Sequence, residues 1–166
     1  LGCAAQQDYV IDLNGRTLYG TVLLSTPAAN AVQISFKNSA GKVRRYRPDE
    51  IQLWSKGSST FESKVYNISS RTGQMVFMKR LTPKEGKCQV FEHYNILGDV
   101  GYTQTLLEID GKMEVVEYGK FRKQLSNYFQ DYPELSEDIA NRKYKKKQLL
   151  DIVERYNAWK EEQWKN

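Results

Sequence analysis

The sequence predicts an α+β protein: a strand-rich body, built as a small barrel or a curled antiparallel sheet of about ten short strands, covered by three C-terminal helices. Apolar residues alternate with a period of two over much of residues 8–118, as they do in half-buried strands. Asn14-Gly15 and Asp110-Gly111 each separate two such segments, and both dipeptides favour tight hairpins. From about Gly119 the apolar spacing becomes i, i+3, i+4 and i+7, which is typical of amphipathic helices.

The first block of strands is predicted between residues 9 and 54. It opens with a hairpin over residues 9–24, for which Asn14-Gly15 predicts a type I′ turn with φ > 0 at both central residues. A loop at residues 25–30, with Pro27 ending the strand, and a turn at residues 38–41 follow. The later strands of this block are predicted at residues 31–37, 42–47 and 51–54.

The second block of strands is predicted between residues 61 and 118. Its strands cover residues 61–67, 75–81, 87–94, 102–109 and 112–118. Polar or glycine-containing turns separate them at residues 69–73, 82–86 and 95–101, and Asp110-Gly111 joins the last two strands.

Three helices are predicted after the strands. The first covers residues 118–132, the second begins at Pro133, which is tolerated in the first helical turn, and the third covers residues 145–164. No composition shift indicates a flexible linker before Gly119. We therefore divide the chain into a terminal segment (1–7), an antiparallel β body (8–118) and a helical segment packed on that body (119–166).

The first residues and the cysteines bear on the compartment. Residues 1–7 are small and uncharged, and resemble either the remnant of a bacterial signal peptide or the N-terminus of a lipoprotein. Cys3 is cleaved off in the first case and acylated in the second, and an ordinary cytosolic terminus is the remaining alternative. Both export readings predict the periplasm, the outer membrane or the extracellular space. Cys88 has no CxxC partner, so we expect a small buried strand residue.

The chain is mildly basic, with a net charge of +5 and a pI of about 9.1, which permits an anionic partner. Two clusters interleave tyrosine among cations, a pattern that can bind nucleic acid, an anionic membrane surface or an acidic glycan. The cations are Arg44, Arg45 and Arg47 in the first cluster and Arg142, Lys143, Lys145, Lys146 and Lys147 in the second. The alternative is solvated charge: Arg44 and Arg45 project to opposite faces of a strand, and the second cluster lies where two helices meet.

Candidates for catalysis are few. The single histidine, His93, has Glu92 and Tyr94 beside it, but nothing in the pattern supplies a spatial partner, so we expect a strand-surface or edge histidine. Carboxylates that could act as a hydrolytic pair occur at Asp8, Asp12, Asp49 and Glu50. The last two follow a proline and indicate a turn. No phosphate-binding loop, dinucleotide-binding spacing or nucleophile elbow is present. We assign no catalytic residue, cofactor or metal ligand.

Several segments together resemble a family of exported proteins common in Bacteroidetes. These segments are residues 10–20 (V-x-x-L-N-G-x-T-L-x-G), 34–36 (I-x-F), 46–51 (Y-x-P-x-x-I) and 147–157 (K-x-L-x-x-I-V-x-x-Y-N). The resemblance implies a signal peptide, a β-rich body and a helical tail, and it transfers no catalytic residue. The strand spacing of residues 9–54 alone is also similar to that of Sm-like and SH3-like barrels, which would favour RNA or peptide binding.

Eleven tyrosines and three tryptophans against one histidine favour a β-rich binding or structural domain over a hydrolase or metalloenzyme. We therefore predict an exported, non-enzymatic envelope protein that binds another protein or an anionic surface glycan. A nucleic-acid-binding barrel is the alternative, although an exported protein rarely meets RNA, and a carboxylate-dependent hydrolase comes third. Membrane attachment is expected only through an acylated Cys3, because no run of about 18 apolar residues occurs.

Overall fold

The computed structural model describes residues 7–66 and 73–165 as an α+β protein with ten antiparallel strands, four helices and the longest helix at the C-terminus. The predicted fold class is confirmed. Most of the turn expected at residues 69–73 lies outside the described residues, and so does Cys3. None of the described helices has the length and apolar character needed to cross a membrane.

The strands are β1 (Asp8–Asp12), β2 (Thr17–Leu23), β3 (Ile34–Asn38), β4 (Val43–Tyr46), β5 (Ile51–Lys56), β6 (Ser59–Tyr66), β7 (Gln74–Arg80), β8 (Cys88–Leu97), β9 (Val100–Ile109) and β10 (Lys112–Val115). The helices are α1 (Pro27–Asn30), α2 (Phe121–Tyr128), α3 (Pro133–Ala140) and α4 (Leu149–Lys165), with a 3₁₀ turn at Lys146–Gln148. The sheet order is β10-β9-β8-β7-β6-β5-β1-β2-β3-β4, so β1 pairs with both β2 and β5.

One predicted hairpin turn has the expected type. Asp110 and Gly111 have φ of 52° and 76°, which is the type I′ pattern, and Ile109 stands opposite Lys112 across the turn. The Asp-Gly signal therefore sets both the turn and the register of β9 and β10.

The first hairpin turn differs from its prediction. Only Gly15 has positive φ (80°), and its N–H donates to the Asp12 carbonyl, while the Asp12 N–H donates to the Arg16 carbonyl, both at 3.0 Å. The loop is thus three residues long, with a left-handed glycine at its end. The type I′ prediction was wrong because the Asp12 carboxylate accepts the N–H groups of Asn14 and Arg16, which closes a wider turn.

The loop predicted at residues 25–30 contains one helical turn, α1. The Thr26 hydroxyl accepts the N–H of Ala29, and Pro27 occupies the first helical position. A threonine cap followed directly by proline is a start signal for a helix, and we had interpreted it only as the end of a strand.

The chain forms two compact units. Unit 1 comprises Leu1–Arg80 and Glu92–Gln104, and unit 2 comprises Leu81–Phe91 and Thr105–Asn166. The core of unit 1 consists of Val10, Val22, Ile34, Phe36, Tyr46, Ile51, Trp54 and Phe77. The core of unit 2 consists of Cys88, Val90, Leu107, Val116, Phe121, Leu125, Phe129, Leu135, Ile139, Leu149, Ile152, Val153 and Tyr156. In unit 2 residues of the three helices share one core with the strand residues Cys88, Val90 and Leu107. Cys88 is buried as expected.

The helices of unit 2 begin and end at recognisable signals. Pro133 opens α3, as predicted, whereas the helix before it already ends at Tyr128. After α3, Arg142 adopts a left-handed φ of 64°; its N–H donates to the Ile139 carbonyl, and the Lys143 N–H donates to the Asp138 carbonyl. This pair of bonds is a Schellman motif, with arginine in the position that glycine usually occupies.

Candidate functional site

A cavity of about 300 Å³ opens on one face of the strands in unit 1. The segment around α1 forms one wall, and the Phe77 N–H of β7 donates to the Ala31 carbonyl, at 2.8 Å, on that side. Buried Ala31, Trp54 and Phe77 contribute to its floor, and exposed Leu24 and Thr103 contribute to its mouth. The other lining residues are Pro27, Asn30, Lys56, Ser59, Phe61, Lys79, Glu92 and Tyr94.

Strand register places the central lining residues in one row. Val10 of β1 pairs with Trp54 of β5, Trp54 pairs with Phe61 of β6, and Phe61 pairs with Lys79 of β7. Residues directly opposite each other in antiparallel strands project to the same face. The row therefore carries an aromatic pair and then a lysine along one face of the sheet.

Trp54 is the largest side chain of this row and is 1% exposed. Its ring stacks on Phe61 at a centroid distance of 3.9 Å and meets Phe77 edge-on at 6.1 Å. Its indole Nε1–H is buried and has no hydrogen-bond partner among the described residues. A buried donor without an acceptor destabilises a folded protein by about 1–3 kcal/mol. Trp54 lines the cavity, but its indole nitrogen is itself buried.

One lysine of the cavity is already engaged within unit 1. Lys56 donates from Nζ to the Asp8 carboxylate and to the Val22 carbonyl, both at 2.9 Å. Partial burial acts to raise the pKa of Asp8, but hydrogen bonds from Lys56 and from the N–H groups of Val22 and Gly57 outweigh it and hold the pKa below its usual value. Lys56 and Asp8 thus form a structural ion pair.

The other two charged residues of the cavity are Lys79 and Glu92. Both are half-buried, and neither forms an ion pair or a side-chain hydrogen bond with a described residue. A cation and an anion therefore line the same cavity with their charges uncompensated, beside an unpartnered indole N–H. Charged groups in such half-buried surroundings bind ligands of opposite charge well because water screens them less.

His93 is not at the surface or at an edge of the sheet, so that prediction was wrong. It lies on β8, between β7 and β9 in the strand order, and is 5% exposed. Its ring lies 5.0 Å from that of Tyr66, whose hydroxyl donates to Gln104 at 2.7 Å and accepts from Asn95. A polar cluster inside the sheet therefore accommodates the histidine, which the sequence alone gives no partner.

The first basic cluster lies at β4 and the turn after it, in unit 1. Arg44 lies over the Tyr46 ring, with its guanidinium carbon 4.7 Å from the centroid, and also approaches Glu50 at 3.8 Å. Arg47 contacts Asp49 at 3.3 Å and Glu50 at 3.8 Å. Arg45 lies on the opposite face of the strand from Arg44. Asp49 and Glu50 form the predicted turn and offset much of the charge of Arg44 and Arg47.

The second basic cluster lies in unit 2, between α3 and α4. Lys143 donates to Asp138, and Arg155 donates to the same carboxylate at 2.7 Å and to Glu134 at 2.8 Å. The hydrogen bonds from Lys143 and Arg155 hold the pKa of Asp138 below its usual value, and the bond to Asp138 raises the pKa of Lys143. Arg155 of α4 therefore fastens α4 to α3, and Lys143 of the cluster offsets the charge of the same Asp138 carboxylate.

Four cations of the second cluster remain exposed, and one of them lines a groove. Arg142, Lys145, Lys146 and Lys147 form no ion pair among the described residues. Lys146 borders a groove of about 230 Å³ at the start of α2. Its other lining residues are Tyr118, Gly119, Lys120, Phe121, Arg122, Lys123 and Tyr144. The groove carries four cations, of which Lys120 is paired with Glu117 at 2.8 Å.

The remaining candidates have structural environments. Asp12 closes the first hairpin, and hydrogen bonds from the backbone and side chain of Arg16 hold its pKa below the usual value. Burial raises the pKa of the Cys88 thiol to about 12. Within residues 7–66 and 73–165, no three histidine, cysteine, aspartate or glutamate side chains gather as a metal site would require.

The sequence pattern did not single out Trp54 or Lys79, and it named Glu92 only as a neighbour of His93. Nothing in Ile51–Lys56 distinguishes a tryptophan with a satisfied indole from one without an acceptor. The available signal was the pairing of aromatic residues on neighbouring short strands, which requires the register to interpret.

No protein family, curated protein or solved structure matches this chain.

Proposed function

We propose that this chain is a non-enzymatic binding protein of the bacterial envelope, and that the aromatic cavity of unit 1 is where it binds a small ligand. The observation that carries the proposal is a pair of opposite charges, Lys79 and Glu92, which line the cavity half-buried and have no ion-pair partner among the described residues. Burying a charge costs free energy unless the charge is paired, and a ligand group of opposite charge would provide the pair.

The lining supports a small organic ligand. Cavities of about 300 Å³ with aromatic walls and a few polar groups are typical of small-molecule sites. Trp54, Phe61 and Phe77 offer apolar surface to the ligand. The stacked Phe61 covers one face of the Trp54 ring, so a sugar has less access to that face.

A thermal-shift and calorimetric screen tests the proposal with benzoate, 3-phenylpropionate, indole and L-phenylalanine. A ligand present at one hundred times its Kd stabilises the folded state by about 2.7 kcal/mol. For a chain of this size that corresponds to a rise in Tm of about 5–10 °C. We expect at least one compound to bind wild type with one-to-one stoichiometry and to bind Trp54→Phe at least tenfold more weakly. The proposal fails if all four leave the wild-type Tm unchanged at millimolar concentration, or if Trp54→Phe binds equally well.

An anionic surface glycan is the second candidate ligand, and the groove at Lys146 favours it. Arg122, Lys123 and Lys146 surround this groove together with Tyr118 and Tyr144, which suits an acidic sugar chain. Binding of a heparin oligosaccharide should weaken steeply between 50 and about 200 mM salt, because cations that neutralise a polyanion release counterions. Lys146→Ala should weaken heparin binding at a given salt concentration, whereas Lys37→Ala, at an exposed position of β3, should not. Salt-independent binding, or equal effects of the two substitutions, would exclude the groove.

Export belongs to the same proposal and rests on residues 1–7 and on the resemblance described above. Expression of the full-length gene product in a bacterial host tests it by fractionation and by mass spectrometry of the mature N-terminus. A diacylglyceryl adduct on Cys3 would identify a lipoprotein, and cleavage beyond Cys3 would identify a secreted protein. Recovery of unprocessed chain in the cytosol would contradict export.

A further inference from the structure

The cavity of unit 1 presents opposite charges to its ligand. Lys79 on β7 and Glu92 on β8 both line it, and neither is compensated by a described residue. Lys56, the third charged lining residue, already binds Asp8 and the Val22 carbonyl. The free charges of the site are therefore one cation and one anion.

The cavity also has an apolar lining. Phe61 pairs with Lys79 across β6 and β7, and Phe77 lies two residues before Lys79 on β7. Leu24 adds an aliphatic surface at the mouth of the cavity. A space of about 300 Å³ equals the volume of about ten water molecules, so it accommodates roughly ten to fifteen non-hydrogen atoms. Those dimensions suit an amino acid with a large apolar side chain.

From these observations, and resting on the proposed function of the cavity, we infer that its ligand is a zwitterion of the α-amino acid class with an apolar or aromatic side chain. The carboxylate accepts a hydrogen bond from the Lys79 ammonium, and the ammonium group donates to the Glu92 carboxylate. The side chain packs against Phe61 and Phe77. Lys79 and Glu92 then each have a partner of matching chemistry.

Ligands with only one of the two charges fit less well. A simple carboxylate satisfies Lys79 but leaves Glu92 facing apolar atoms and an anion, and a simple amine leaves Lys79 without an acceptor. A site built to hydrogen-bond a substrate group discriminates strongly against an analogue that lacks it, because its own polar groups are then left unpaired. The charge pair therefore acts as the selective element, and the aromatic wall supplies affinity.

Isothermal titration with three compounds that share a phenyl ring tests the inference: L-phenylalanine, 3-phenylpropionate, which lacks the ammonium, and phenethylamine, which lacks the carboxylate. We expect L-phenylalanine to bind wild type at least tenfold more tightly than either analogue, because a charge-assisted hydrogen bond contributes about ten- to a hundredfold in affinity. Lys37 is an exposed residue of β3 outside the cavity. Lys37→Met is therefore the matched control and should leave all three affinities unchanged.

Two substitutions assign the charges. Lys79→Met should weaken L-phenylalanine at least tenfold and leave phenethylamine within about threefold of wild type. Glu92→Gln should weaken L-phenylalanine at least tenfold and leave 3-phenylpropionate unchanged or tighter, since the repulsion between two carboxylates is removed. Unchanged far-ultraviolet circular dichroism and a Tm within a few degrees of wild type establish that both variants are folded.

The outcomes separate the inference from the function on which it rests. If 3-phenylpropionate binds as tightly as L-phenylalanine and both depend on Trp54, the cavity is a ligand site for organic acids and the zwitterion inference is overturned. Tighter binding of phenethylamine overturns it in favour of amines. If none of the three compounds binds, the inference is likewise overturned, while the proposed function is decided by benzoate and indole.

Discussion

Replacing Trp54 by phenylalanine separates a functional tryptophan from an ordinary core tryptophan. The substitution keeps an aromatic ring against Phe61 but removes the indole N–H and the second ring. Truncating a fully buried large aromatic residue to alanine typically destabilises a protein by about 3–5 kcal/mol. A milder truncation to phenylalanine at a well-satisfied core position would still be clearly destabilising.

Two opposing contributions set the magnitude at Trp54. The lost ring atoms remove about 1 kcal/mol of transfer free energy. A residual space of about 40 Å³ removes about another 1 kcal/mol. In the opposite direction, the substitution eliminates a buried donor that has no acceptor, which raises the free energy of unfolding by about 1–3 kcal/mol. We therefore expect the ligand-free variant to have a free energy of unfolding within about 1 kcal/mol of wild type.

Urea denaturation of the ligand-free protein measures this difference, and Tyr66→Phe provides the matched comparison. Tyr66 is 4% exposed, and its hydroxyl donates to Gln104 at 2.7 Å, so the substitution removes a satisfied buried group. It should lower the free energy of unfolding by about 1–2 kcal/mol. A loss of more than about 3 kcal/mol for Trp54→Phe would refute the reasoning, because the indole would then be contributing a native hydrogen bond or irreplaceable packing.

Four further predictions concern the scaffold. Gly20→Ala should lower the free energy of unfolding by about 2–3 kcal/mol in urea denaturation, since a Cβ there lies 2.3 Å from a carbonyl oxygen of the neighbouring strand. The same change at Gly119, where a Cβ meets nothing within 4 Å, should have little effect. Equal losses at the two positions would contradict the contact at Gly20. Arg142→Gly should raise stability by about 1 kcal/mol because it removes left-handed strain, and a loss would refute this. Asp8→Asn should cost about 2 kcal/mol at pH 7. The pKa of Asp8 is lowered on folding, so its contribution is present above about pH 4 and is lost below; a difference that persists at pH 2 would contradict it. In a chain lacking Cys3, the Cys88 thiol, whose pKa burial raises to about 12, should react with a thiol reagent at pH 8 roughly a thousandfold more slowly than in the unfolded chain, and rapid native labelling would refute its burial.

Much of the fold could be predicted because its signals are local. Asp110-Gly111 determines a hairpin through two positive φ angles, and Pro133 marks the start of α3 whatever surrounds it. The predicted turn type at Asn14-Gly15 was wrong because the carboxylate of Asp12, two positions before Asn14, accepts backbone N–H groups of the turn. A dipeptide signal does not include that competitor.

The candidate site was much less predictable, because its chemistry depends on what is missing around a side chain. Whether Trp54, Lys79 and Glu92 have partners depends on strands that are distant in sequence, and their residue types are ordinary for strands. His93 shows the same effect in reverse: a surface or edge position was predicted because the sequence supplies no partner for it, but Tyr66 and Asn95 make a polar environment inside the sheet. The charge runs at residues 44–47 and 142–147 were visible at once, and the structure gives several of their members carboxylate partners.

The most direct test of the cavity as a ligand site is a ¹⁵N–¹H spectrum of the three tryptophan indole groups during titration with L-phenylalanine. Trp54→Phe assigns the Trp54 resonance by its disappearance, and Trp159 and Trp164 serve as internal references outside the cavity. The account predicts that the Trp54 Nε1–H resonance shifts saturably, with the Kd measured by calorimetry, while the other two remain in place. A Trp54 resonance that stays fixed while L-phenylalanine binds would contradict the assignment of the cavity that Trp54 lines as the ligand site.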